Sequence, residues 1–205
     1  MEWNEDITDW KNQNNKKERG EIKMRDKNTK NMIITALLLG IGAILHQLTP
    51  ALGLPMQPDF ALAMLFIIMI LNRDNYKTCL VSAIITGIFT AMTTKFPGGQ
   101  VPNVIDKLVT GNVMFFIMMC INKLKVLKNM AEEKRRTIEA FILFPIGTLV
   151  SGITFLGSAS VIAGLPASFS ALFFAVVLPA TVINLVGGIV LFKIITTSMK
   201  RVAIN

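Results

Sequence analysis

Lys95-Phe96-Pro97-Gly98-Gly99-Gln100-Val101-Pro102-Asn103-Val104-Ile105-Asp106-Lys107 is the most polar and turn-rich run between the first apolar segment and the central basic loop. Two prolines and a Gly-Gly pair predict that neither helix nor strand passes through it. It reads as a loop joining two apolar helices, and the fold class follows from that reading. A plain connector could be shorter and blander, so the run also reads as part of a binding site.

On both sides of this run, charge is segregated. Charged residues make up 17% of the chain and hydrophobic residues 52%, whereas a soluble domain carries about 25% charged residues. Long apolar runs hold almost none of the charge. The pattern predicts an all-α membrane protein, a six-transmembrane-helix bundle. The spans are expected near residues 32–48, 60–71, 78–94, 104–121, 137–156 and 170–195. Pro145 and Gly147 are kink positions in the fifth, and residues 157–169 form an apolar loop of small residues after it. Residues 1–30 are too polar to pack a core and read as a disordered tail, with Met24 and Met32 as alternative starts. The tail does not read as a secretory signal. Residues 31–198 form the membrane domain and 199–205 a short second tail.

Basic residues orient the bundle. Eight of the 21 lie in the tail, two (Arg73, Lys77) between spans two and three, six between spans four and five, and three at the C-terminal end. Only Lys95 and Lys107 lie on the other side. Both termini are therefore expected in the cytoplasm, and membrane orientation explains the net charge of +8 without nucleic acid. Cys79 and Cys120 sit inside apolar runs and read as small buried hydrophobes. A single histidine, His46, provides no metal site, and no cofactor is expected.

On this topology His46, Asp59 and the run from Lys95 to Lys107 face outward. Two acids and two bases then meet there, which suits a zwitterion such as an amino acid. Met56, Phe60, Met64, Phe89, Met92 and Phe96 would suit a large apolar or aromatic side chain. Asp59 either lines a cavity at depth or caps a helix at the water interface. Asn103 and Asp106 also fit a capping box at the start of the fourth helix, with Lys107 snorkelling to the interface. Asn184 either bridges two helices or reaches a ligand. Ala36, Gly40 and Ala43 form a small-residue stripe, which serves contact within the bundle or docks a separate membrane protein.

The run Thr93 to Lys107, with Phe96-Pro97-Gly98-Gly99-Gln100 at its heart, resembles the signature of the bacterial TrpP-type tryptophan transporters. Pro58 to Met64 and Gly40 to His46 are similar as well, and the likeness covers about residues 30–195. The resemblance implies a six-helix substrate-binding subunit in the cell membrane that captures tryptophan outside. That family is grouped with the S components of energy-coupling factor (ECF) transporters, which implies a transmembrane coupling protein and two ATPase subunits as partners. Ala36-Leu37-Leu38-Leu39-Gly40 stands where S components carry an Ala-x-x-x-Ala docking pattern, with Gly in place of the second Ala. The long N-terminal tail departs from the usual short start.

Together these readings give His46, Gln47, Asp59, Lys95, Phe96, Gly98, Gly99, Gln100, Asn103, Asp106, Lys107 and Asn184 as candidate substrate contacts, and Ala36, Gly40 and Ala43 as candidate docking residues. The chain has no Gly-x-x-x-x-Gly-Lys-Ser/Thr motif, so it is not expected to act as an ATPase by P-loop chemistry. The other open reading is a stand-alone transporter driven by protons or sodium, with Asp59 carrying the coupling ion.

Overall fold

A computed structural model describes Arg19, Arg25 and residues 28–50, 57–124, 127 and 129–204, with side chains to Arg201. The readings of most of the N-terminal tail, of Met56, and of Lys125 and Lys128 fall outside these residues. All described secondary structure is helical: α1 (Asn28–Leu48), α2 (Phe60–Leu71), α3 (Tyr76–Thr93), α4 (Gln100–Asn122), α5 (Glu132–Ile162), α6 (Phe169–Leu172) and α7 (Leu178–Ile204). A π-helical turn, Phe173–Val177, joins α6 to α7 without a break. Five of these helical segments are long and apolar enough to cross a membrane, and α2 is the short one. The chain divides into two compact units, residues 1–37 and 38–205; the core and site described below belong to the second.

That unit is organised around α2. Its sequence, Phe-Ala-Leu-Ala-Met-Leu-Phe-Ile-Ile-Met-Ile-Leu, is apolar on every side, as befits a helix that touches protein all round. Ala61 to Ile70 are all buried, and α3, α4, α5 and α7 pack against it. Asp59 stops the helix at one end by accepting the Leu62 amide at 2.9 Å. Asn72 ends it at the other, where its backbone N–H reaches the Ile68 carbonyl. Large rings fill gaps left by glycines: a Cβ on Gly147 would stand 2.1 Å from Phe66, and one on Gly188 would stand 2.7 Å from Phe144.

The α3–α4 pair is held by small residues. Ser82, Ala83, Thr86, Gly87 and Thr90 form the buried face of α3, and a Cβ on Gly111 would reach within 2.6 Å of Ala83. Close backbone approach is how helices associate where lipid removes the hydrophobic drive. The threonine hydroxyls donate to carbonyls one turn back, Thr86 to Ser82 and Thr90 to Thr86, so they add no unsatisfied polarity. The outer surface is apolar instead: on α7, Val182, Val186, Val190 and Ile194 are exposed at four-residue spacing. Polar groups inside and aliphatic groups outside suit a lipid solvent.

Several expected boundaries move: the first helix begins at Asn28 and the last ends at Ile204. The fourth helix begins at Gln100 rather than Val104, so more than half of the run from Lys95 to Lys107 is helical. Pro102 is tolerated because the first turn has no intrahelical partner for its missing N–H. Gly98 takes φ +72° to make the turn, and Gly99 is the N-cap. The capping box is therefore overturned: Asn103 and Asp106 lie inside the helix. The fifth helix extends from Glu132 to Ile162, which takes up the first part of the expected 157–169 loop.

The end of α2 away from Asp59 carries a second set of charges. Arg73 donates to Glu139 at 3.0 Å and also to Glu132, while Arg135 reaches the same Glu139 oxygen at 3.3 Å. Glu139 is fully buried. Arg73→Ala leaves that carboxylate with one partner and should lower stability by about 3–5 kcal/mol, read as an earlier thermal unfolding transition in detergent.

Candidate functional site

At the Asp59 end of α2, one ammonium is shared by two carboxylates. Lys107 on α4 is buried; it donates to Asp59 Oδ2 at 2.7 Å and to Asp106 Oδ2. Asp59 keeps its other oxygen on the Leu62 amide, so it both caps α2 and pairs with Lys107. Asp106 accepts from Thr110 Oγ1 at 2.9 Å and from Ser151 Oγ at 2.8 Å on α5. With both acids ionised the group carries a net charge of −1. Lys107 does not snorkel: a buried ammonium so placed is held by its partners.

His46 borders this group. Its Nδ1 lies 2.7 Å from Thr93 Oγ1, whose own hydrogen goes to the Phe89 carbonyl at 2.7 Å. The ring must then be the donor, which leaves Nε2 as acceptor. Gln57 Nε2 satisfies it at 3.0 Å and also donates to the His46 carbonyl at 2.9 Å. Lys95, exposed at the rim, donates to the Thr49 carbonyl, and two of its hydrogens remain for a ligand.

These residues line a cavity of about 70 Å³. Its charged and polar lining includes Asp59, Lys95, Asp106 and Lys107, with His46 and Gln57. Its apolar lining is Leu62, whose amide bonds Asp59, together with Phe155, Val176 and Val177. Along α5, Ser151, bonded to Asp106, stands between Phe155 on one side and Thr148, the partner of Asn184, on the other. Phe96 and Phe155 meet edge to face, with centroids 5.4 Å apart, and fix one wall. The π-helical turn supplies Val176 and Val177 to another; such irregular turns concentrate at functional sites.

Of the sequence candidates, His46, Asp59, Lys95, Phe96, Asn103, Asp106, Lys107 and Asn184 line the cavity. Gln47, Gly98, Gly99 and Gln100 are not in its lining. Gly98 instead fits tightly under Ala163, where a Cβ would approach to 2.8 Å. Of the expected aromatic and methionine wall, only Phe96 takes part among the described residues: Phe60 packs on Gly187, Met64 on Gly42, and Met92 faces outward. Gln57, Thr148, Ser151, Phe155 and the Val176-Val177 pair were not foreseen. Gln57, two residues before Asp59 in a loop of prolines, offered the one usable signal. A hydroxyl inside an apolar helix ordinarily just bonds its own backbone, so Thr148 and Ser151 carried none.

Lys107→Met should lower stability by about 3–5 kcal/mol, because two carboxylates would face each other without a cation. Adding Asp59→Asn should recover part of the loss; thermal unfolding of both variants checks the pairing.

The family description "Tryptophan transporter TrpP" matches residues 28–200. The chain is 57% identical over 177 residues to a "Probable tryptophan transport protein" of Clostridium perfringens, covering 86% of this chain and 97% of that one. It is 46% identical to a protein of the same description from Clostridium acetobutylicum (85% and 96% covered) and 43% identical to one from Bacillus subtilis (84% and 94%). No solved structure matches it significantly.

Proposed function

Since the chain belongs to the tryptophan transporter TrpP family, we propose that it captures tryptophan at the outer face of a bacterial membrane and carries it inward. The observation that carries this reading is a cavity lined by charges of both signs and by apolar side chains. An amino acid brings an ammonium, a carboxylate and a side chain. Asp59 and the net negative charge around Lys107 suit the ammonium, the rim ammonium of Lys95 suits the carboxylate, and the apolar lining suits an indole ring.

The chain crosses the membrane six times, α2 being the short crossing, with both termini in the cytoplasm. The distribution of lysine and arginine supports this orientation. It works as the substrate-binding component of an ECF-type assembly, with a transmembrane coupling protein and two ATPase subunits. Two things support that assignment: the chain lacks a P-loop motif, and a Cβ on Gly40 would meet nothing within 4 Å. The docking stripe is Ala36, Gly40 and Ala43. An ion-coupled transporter is the second reading. The specific observation favouring it is that buried Asp106 and half-buried Asp59 share a single lysine, a place where a proton could be carried.

Purified protein should bind tryptophan without ATP, seen by calorimetry; absence of heat from folded protein would sink the proposal. Asp59→Asn and Lys95→Ala should each weaken binding by about 1–3 kcal/mol through loss of a charged hydrogen bond. Gly40→Leu should leave binding intact and cut uptake in cells. Uptake by vesicles lacking any ATPase module, and abolished by an ionophore, would favour the ion-coupled reading.

A further inference from the structure

Asn184 lies on α7, lines the cavity and is buried. Its amide orientation can be settled by counting hydrogens. Thr148 spends its single hydroxyl hydrogen on the Phe144 carbonyl at 2.8 Å, so it can only accept from Asn184. The Asn184 Nδ2 group is therefore the one facing Thr148, at 3.4 Å, and Oδ1 is turned the other way. That oxygen is buried and has no donor among the described residues. A buried acceptor without a donor is costly, and this one belongs to a residue that lines the cavity.

An indole ring is apolar except for one N–H, which donates and cannot accept. We propose that Asn184 Oδ1 accepts the indole N–H and is the residue that selects tryptophan over other large apolar amino acids. The inference rests on the tryptophan reading of this cavity and adds its specificity determinant. The spacing agrees with it. Ser151, bonded to Asp106, and Thr148, bonded to Asn184, lie three residues apart on α5, a rise of about 4.5 Å. That step, from the partner of Asp106 to the partner of Asn184, is comparable to the reach from the α-carbon of tryptophan to its ring nitrogen. The apolar lining residues Leu62, Phe155, Val176 and Val177 offer no competing side-chain acceptor. A site with a fixed acceptor rejects a ligand lacking the donor more strongly than an apolar slot rejects a change of size, because the acceptor is left unpaired.

The test compares tryptophan with 3-benzothienylalanine, in which sulfur replaces the indole N–H and the ring shape is kept. Equilibrium dialysis with labelled tryptophan, competed by each compound, gives both affinities on purified full-length protein. Wild type should bind the sulfur analogue about 10–100-fold more weakly than tryptophan. Asn184→Leu should bring tryptophan down to the level of the analogue and leave the analogue unchanged. Equal affinities in wild type, or a preference that survives in Asn184→Leu, would overturn the inference while leaving tryptophan binding in place. If Asn184→Leu does not fold, the wild-type comparison alone decides, and Asn184→Ala repeats the variant arm. Failure of folded wild type to bind either compound would overturn the tryptophan reading itself.

Discussion

One lysine ammonium held between two carboxylates sets the terms for the rest of the structure. Lys107 and Asp106 are adjacent on α4, while Asp59 begins α2. Taking such groups out of water costs several kcal/mol per ion, and only close pairing with further hydrogen bonds offsets it. The partners come from three helices: Ser151 from α5, Thr110 from α4, and the Leu62 amide from α2. The cluster therefore fixes how these helices meet. Tight α3–α4 packing serves the same end, since Gly87 leaves room beside the Lys107 side chain, with a Cβ there only 3.3 Å from Lys107 Cβ.

The same helix that carries Asp59 leads to Arg73 just beyond its other end, where a second buried ion pair joins it to Glu139. At about 1.5 Å per residue its twelve residues put roughly 18 Å between the two clusters. Neither end can shift along the axis without separating a buried pair. The cavity and the Arg73 cluster are thus tied to one rod, and a change of shape at one is felt by the packing at the other.

The sequence made some of this plain. The limits of α2 could be read because an unbroken apolar run stands between Pro58-Asp59 and Asn72. Asp59, Asp106 and Lys107 were conspicuous because charge beside or inside apolar segments is expensive. The start of α4 was misread for a local reason: Pro102 falls in a first turn that has no use for its N–H, and Gly98 turns the chain sharply enough for a helix to begin two residues later. The length of α5 was hidden because its first turns, Glu132 to Arg136, are polar, and hydropathy registers only the apolar part. The apolar wall was missed because it depends on which faces of α5 and α7 meet, and ordinary residues such as Val176 and Phe155 do not advertise their neighbours.

The brevity and complete burial of α2 also bear on how the chain is built. A twelve-residue segment falls short of the roughly twenty needed to span hydrocarbon unaided. It has polar anchors at both ends, whose partners, Lys107 and Glu139, are synthesised later. While the ribosome is still making α4 and α5, α2 lacks Lys107 and Glu139. The charges at its two ends are balanced only by helices that follow it in the chain, so the packing around α2 cannot be completed before α5 exists.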